Sequence, residues 1–207
     1  MTFRPTIIVL AVERGRRFRG DRHKTEQGAG TGSGVLAGTL KNVLASGLPC
    51  RVVASAGMQA QAYLHVPAHD VIVLPEVDGG SRLGTGYAIA SGVCASSDAT
   101  GWLVLPGDMP LVQPQTLLAV AQALEQHPVA YAQYRGRRGH PVAFAAELYS
   151  ELATLSGNEG ARRLTARYPA WGVEVDDPGV LVDIDTLDDV SAVRARQAAV
   201  RAAAPPL

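Results

Sequence analysis

The sequence predicts an α/β domain on a doubly wound, largely parallel sheet, and three observations carry that prediction. Short apolar runs recur at Ile7-Ile8-Val9-Leu10, Val52-Val53-Ala54, Val71-Ile72-Val73-Leu74 and Leu103-Val104-Leu105. Continuous runs of this kind suit strands covered on both faces, as in a parallel sheet. Segments of helical character, 35–46, 87–96 and 115–126, follow them in alternation, and alternating strand and helix implies right-handed crossovers with helices on both sides of the sheet. The third observation is size: 207 residues, 47% of them hydrophobic, match one domain of the usual ~100–200 residues.

Taken in order, the first strand ends at Leu10-Ala11 and runs into the basic stretch Glu13 to Lys24. The run Gly28-Ala29-Gly30-Thr31-Gly32-Ser33-Gly34 fits neither a dinucleotide fingerprint nor a P-loop and is expected to be a flexible loop tip. In the segment 115–126, Leu117, Leu118, Ala121 and Leu124 form one apolar stripe at helical spacing. After Leu105 the pattern changes. Ala130–Tyr134 and Pro141–Phe144 read as strands around the turn-like, basic Arg135-Gly136-Arg137-Arg138-Gly139, a hairpin-like or mixed-sheet excursion. A late strand, Gly172–Val175, precedes the acidic loop 176–185. A final helix is expected from Thr186, where Thr186-x-x-Asp189 has the capping-box pattern, fraying into Ala202-Ala203-Ala204-Pro205-Pro206. No repeat or linker interrupts the chain, so 1–207 reads as a single domain with its core over about residues 6–190.

Composition excludes several classes. Lys plus Arg number 19 and Asp plus Glu number 19, which leaves no net field to gather nucleic acid or a membrane surface. With 18% charged residues the chain lacks the signature of disorder. No apolar run reaches the ~18 residues of a membrane span, and the stretch 6–11 is too short for a secretory leader, so a cytoplasmic protein is expected. Cys50 and Cys94 have no zinc-ligand spacing and are read as two reduced, buried thiols.

Chemistry is concentrated at three strand ends, where open α/β sheets bind their ligands. The loop from Ala11 to Lys24, with Gly15 allowing close backbone approach and Arg17 and Lys24 among its cations, is either a polyphosphate cradle or a solvated basic loop. In Leu105-Pro106-Gly107-Asp108-Met109-Pro110, Asp108 either holds Mg²⁺ against phosphates or has a structural role, capping the helix that follows Pro110 or closing a turn. In Val182-Asp183-Ile184-Asp185-Thr186, Asp183 or Asp185 becomes a second metal contact if the loop folds back beside Asp108; Asp185 is equally a cap of the final helix. Gly84-Thr85-Gly86, before a helix, offers backbone amides to a base, ribose or phosphate. His140 in Gly139-His140-Pro141 either touches substrate or packs in a turn.

In sequence order these pieces resemble the MobA-like NTP transferase family, and within it the molybdenum cofactor cytidylyltransferases. Leu10-Ala11 through Gly15, Arg17, Phe18 and Lys24 is similar to the family's L-A-A-G-x-G-x-R-F…K loop, and Leu105–Val112 to its L-x-G-D-x-P-L-V segment. Gly136-Arg137-Arg138-Gly139-His140-Pro141-Val142 resembles the R-G-x-x-G-H-P-V turn of the cytidylyl branch. Gly157-Asn158-Glu159-Gly160-Ala161-Arg162 resembles G-D-x-G-A-R, and Asp183-Ile184-Asp185-Thr186 resembles D-I-D-T-P-E-D. Glu13 and Arg19 stand where the family has glycines, and Leu187 where it has proline.

The resemblance implies a Rossmann-like nucleotidyltransferase fold, a three-layer α/β/α arrangement around a mostly parallel, mixed sheet. It implies Mg²⁺-dependent transfer of CMP from CTP to molybdopterin or its molybdenum-loaded form, with release of pyrophosphate. By position, Leu10, Ala11, Gly15, Pro75, Gly84, Gly86 and Gly107 approach the nucleotide. Arg17 and Lys24 neutralise the phosphates, Asp108 and Asp183 bind metal, and Arg138 and His140 face the acceptor. Phosphoryl-type chemistry of this kind needs positioning and charge stabilisation rather than a protein nucleophile. The product implies a molybdoenzyme or its maturation chaperone as partner, and no nucleic acid or membrane. Two other readings remain: transfer from GTP or onto another phosphorylated acceptor, and a non-catalytic nucleotide- or pterin-binding homologue, motivated by Glu13 and Tyr87.

Overall fold

A computed structural model describes residues 3–12, 31–75, 84–157 and 161–184. The elements are β1 (Thr6–Ala11), α1 (Thr31–Ala45), β2 (Cys50–Ala54), α2 (Gln59–Tyr63), β3 (Val71–Val73), α3 (Gly84–Cys94) and β4 (Gly101–Pro106). They continue with α4 (Pro114–Ala123), β5 (Val129–Tyr134), β6 (Arg137–Ala145), α5 (Tyr149–Ala153), α6 (Arg162–Arg167) and β7 (Ala170–Glu174). The expected final helix lies outside the described residues.

The seven strands form one sheet in the order β3-β2-β1-β4-β6-β5-β7. β1 pairs in parallel with β2 and β4, and β2 with β3. β6 runs antiparallel to both β4 and β5, while β5 and β7 are parallel. β6 is therefore the one reversed strand, the mixed-sheet excursion expected after Leu105. All six residues of β1 and of β4 are buried, as central strands under helices on both faces require. One face packs Ile7, Val9 and Leu105 with Leu36, Leu40, Leu117 and Val120. The other packs Ile8, Val53, Trp102 and Phe144 with Ala88, Ile89, Val93 and Leu152. Each such Ile, Leu or Val contributes about 1.5–3 kcal/mol of transfer free energy. Among the described residues no helix is long and apolar enough to cross a membrane.

Several expectations are corrected. Of the run expected as a loop tip, Thr31–Gly34 are instead the opening residues of α1, and Gly28, Ala29 and Gly30 lie outside the described residues. Two glycines cost a helix about 1 kcal/mol each relative to alanine, and burial of Val35, Leu36, Leu40 and Val43 on the same helix outweighs that cost. Gly84-Thr85-Gly86 likewise form the first turn of α3 rather than preceding it. The hairpin turn is confined to Arg135-Gly136, and Arg137 to Gly139 belong to β6. Both turn residues have left-handed φ, +50° and +74°, the conformation that a two-residue hairpin loop needs to follow the strand twist. In α4, Leu117, Ala121 and the adjacent Leu124 are buried, but Leu118 is 45% exposed. Cys50 is buried as expected, while Cys94 is exposed.

Candidate functional site

The carboxyl ends of β1 and β4 meet. The Gly107 amide donates to the Leu10 carbonyl at 3.0 Å. A Cβ on Gly107 would lie 3.0 Å from that oxygen, 3.2 Å from Leu36 Cδ1 and 3.4 Å from Ala11 Cα, so a glycine lets the two chains touch. Leu10, Ala11, Gly107 and Asp108 thus occupy one place. The turn is held from below by α1. Thr39 Oγ1 donates to the Gly107 carbonyl at 2.9 Å, and Asn42 Nδ2 donates to the carbonyls of Pro110 and Val112 at 2.9 and 3.0 Å.

The acidic loop folds back to the same place. The helical turn Pro178–Leu181 is wedged between two backbones: a Cβ on Gly139 would overlap the Val180 carbonyl, and one on Gly179 would overlap the Leu111 carbonyl. Ile184, packed with Val35 and Leu111, then donates its amide to the Asp108 carbonyl at 2.8 Å. Asp183 is thereby carried alongside Asp108, the first exposed and the second half-buried. Among the described residues no three His, Cys, Asp or Glu side chains cluster as a metal cage. Mg²⁺ takes one or two carboxylates with substrate phosphates supplying further oxygens, and two adjacent aspartates fit that demand.

The helix after Pro110 is not capped by Asp108. It begins at Pro114, and the buried Asp177 caps it from a distance. Asp177 Oδ2 accepts from the Gln113 amide at 2.8 Å and from Thr116 Oγ1 at 2.7 Å, while Oδ1 accepts from the Gly179 amide at 3.0 Å. One carboxylate therefore ties α4 to the turn that delivers Asp183.

The third wall is the β5–β6 hairpin. Tyr131 pairs with Val142 and Gln133 with Arg138, so two steps along β5 span four along β6. The extra residues fall at Gly139-His140-Pro141, a bulge of the kind that re-aims side chains beside binding sites. The guanidinium of Arg138 lies 4.5 Å from the centroid of the Tyr131 ring. Glu174 fastens the hairpin tip: its carboxylate accepts from the Arg135 amide at 2.6 Å and from Gln133 Nε2 at 2.9 Å. The Gln133 contact and the Arg135 and Gly136 amides hold the Glu174 carboxyl below its usual range.

On the β3 side, Pro75 is exposed just beyond the strand. Gly84 has a φ of +78°. The Gly86 amide does not reach toward a ligand, because it donates to the Gly157 carbonyl at 2.8 Å and the Ser156 backbone fills the space beside its Cα. Gly15, Arg17, Lys24, Glu13 and Asp185 lie outside the described residues.

Sequence reasoning missed Thr39, Asn42 and Asp177. Thr39 and Asn42 were legible only as polar residues of a helix that also carries Thr31, Ser33 and Lys41. Asp177 has one local signal, the Asp-Pro start of the turn Pro178–Leu181 that it caps, but its reach to Gln113 and Thr116 has none.

The chain is 34% identical over 116 residues to the purine catabolism protein PucB of Bacillus subtilis, a match covering 54% of this chain and 56% of that relative. It is similar to the crystal structure of Rv0371c in complex with manganese from Mycobacterium tuberculosis, at a TM-score of 0.67 and 26% identity, covering 93% of this chain and 98% of that one. A nucleotidyl transferase from Methanothermobacter superposes with a TM-score of 0.67 and 25% identity, covering 93% and 97% of the two chains. The model of the MobA-like NTP transferase domain matches residues 7–171, and the chain, with its Rossmann-like mixed sheet, belongs to that family.

Proposed function

We propose that this protein is a Mg²⁺-dependent nucleotidyltransferase that moves CMP from CTP to the terminal phosphate of a molybdopterin-type acceptor and releases pyrophosphate. The observation that carries the reading is the bond from the Ile184 amide to the Asp108 carbonyl, which sets two carboxylate-bearing turns side by side at the strand ends. The family match and the likeness to a manganese-bound relative support a divalent cation there. Asp108 and Asp183 would hold it, and it would supply charge neutralisation for the triphosphate.

The chain's own groups do the rest by positioning. The Leu10–Ala11 and Gly107 backbones form a tight floor against which a triphosphate is laid, flanked by Pro75 and Gly84. Arg17 and Lys24 are assigned to its charge. Gly86, with its amide already engaged, contributes packing rather than a donor. An acceptor phosphate oxygen then attacks the α-phosphorus in line, the bond to the β-phosphate bridging oxygen breaks, and pyrophosphate leaves with the electron pair. His140 and Arg138 form the acceptor side. The reading places the protein in the cytoplasm, upstream of a molybdoenzyme or its maturation chaperone.

The test is calorimetric titration of CTP and of GTP, each with Mg²⁺, into wild type and Asp108→Ala, followed by a pyrophosphate-release assay with molybdopterin. Metal-dependent CTP binding that Asp108→Ala weakens at least tenfold, with pyrophosphate released on adding acceptor, supports the proposal. Preference for GTP moves the base assignment. Binding without turnover leaves a nucleotide- or pterin-binding homologue in its place.

A further inference from the structure

We infer that Arg138 is the fork that recognises the acceptor's phosphate, and that Tyr131 is the positioning residue that holds this fork flat. The inference rests on the nucleotidyltransferase reading and names the acceptor group that the hairpin wall selects. β4 and β6 are antiparallel neighbours whose last described pair toward the site is Val104 with Val142. Asp108 lies four residues beyond Val104 and Arg138 four residues before Val142, so both lie beyond the same end of the β4–β6 ladder, where the turn Pro178–Leu181 enters between Gly139 and Leu111.

Arg137 and Arg138 are both exposed, but they are not equivalent. Arg138 is the one laid over Tyr131, at 4.5 Å, and Tyr131 packs on the sheet face shared with Leu10, Val104 and Ala88. Gly172 on β7, paired with Tyr131, leaves room for two side chains of β5: a Cβ there would come 2.5 Å from Gln133 Oε1 and 3.1 Å from the Tyr131 hydroxyl. Glu174 pins the turn that precedes Arg138 through the Arg135 amide. A guanidinium held over a ring face keeps N–H donors along its edge for an anion. Such an edge matches two oxygens of a phosphate monoester, a bidentate geometry that an ammonium group does not reproduce. The bulge at 139–141 separates Arg138 from the part of β6 that pairs with β4.

The test uses fluorescence titration of the purified full chain with neopterin monophosphate and with neopterin, which differ only in the phosphate. Wild type is expected to bind the phosphorylated probe at least tenfold more tightly. Arg138→Ala is expected to abolish that preference, and Arg138→Lys to reduce it to about threefold or less. Tyr131→Phe keeps the ring and is expected to keep the preference, whereas Tyr131→Leu loses most of it with an unchanged circular dichroism spectrum. Equal binding of the two probes by wild type, an undiminished preference in Arg138→Ala, or matching behaviour of Tyr131→Phe and Tyr131→Leu would each overturn the inference. CTP affinity measured on the same variants separates the two proposals. If wild type discriminates the probes but binds no nucleotide, the phosphate fork stands and the transferase reading falls.

Discussion

The amide of Ile184 donates to the carbonyl of Asp108 at 2.8 Å, joining the last described segment of the chain to the turn after the central strand β4. This contact depends on the turn Pro178–Leu181 being sandwiched between two backbones. Gly139 faces Val180 on one side, and Gly179 faces Leu111 on the other.

Alanine at either glycine should push that turn away. Gly139→Ala and Gly179→Ala are expected to lose about 1–3 kcal/mol in urea unfolding, the usual cost of overpacking. Their Mg²⁺-dependent CTP affinity should fall further than stability alone explains. A Val93→Ala variant, destabilised by a cavity in the core cluster on the other face of the sheet from Val180, is the control and should retain affinity. Equal binding by all three variants would show that the turn does not position the site.

Asp177 joins two elements with a single carboxylate. Asp177→Ala leaves Thr116 Oγ1 and the Gln113 and Gly179 amides without their acceptor. A lost cap costs about 0.5–2 kcal/mol and each buried orphaned donor about 1–3 kcal/mol. A loss of roughly 2–4 kcal/mol, read by calorimetric or urea unfolding, is the expected outcome.

The two thiols should differ in reactivity. Burial, with Asp70 adding to it against the opposing Arg51, pushes the Cys50 thiol up to about 11, so almost none is thiolate at neutral pH. Cys94 is exposed at the end of α3. Native protein treated with a thiol reagent at pH 7.5 should react rapidly at one site, mapped by mass spectrometry to Cys94, with Cys50 reacting only on unfolding.

Glu174 predicts an acid sensitivity of the hairpin. Its carboxyl is held below the usual value of 4.5, first by Gln133 and then by the backbone amides of Arg135 and Gly136. A lowered folded value means that its contribution is present above pH ~4.5 and is lost as pH falls through the lowered value. Amide exchange at Arg135 and Gly136 should therefore lose protection below pH 4.5 in wild type. Glu174→Gln should be less protected at neutral pH and should lack that acid step.

How much of this was legible in the sequence depends on the range of the forces involved. The apolar runs at 7–10, 52–54, 71–74 and 103–105 announced the buried parallel strands, because a strand covered on both faces has no polar alternation to hide it. The motif order announced the family, and the Leu105–Val112 segment announced a strand-end carboxylate. These are local properties, carried by residues adjacent in the chain.

Tertiary structure decided the rest. Whether Asp183 meets Asp108 depended on Gly139 and Gly179 admitting a turn between two distant backbones, a fact about space that no neighbouring residue encodes. Thr31–Gly34 became helix because the residues beyond them bury an apolar face, and packing overrode glycine's local preference. Arg137 and Arg138 read alike in sequence. Only the hairpin register and the Tyr131 ring beneath Arg138 set one of them apart, since a guanidinium's role is decided by what it lies against.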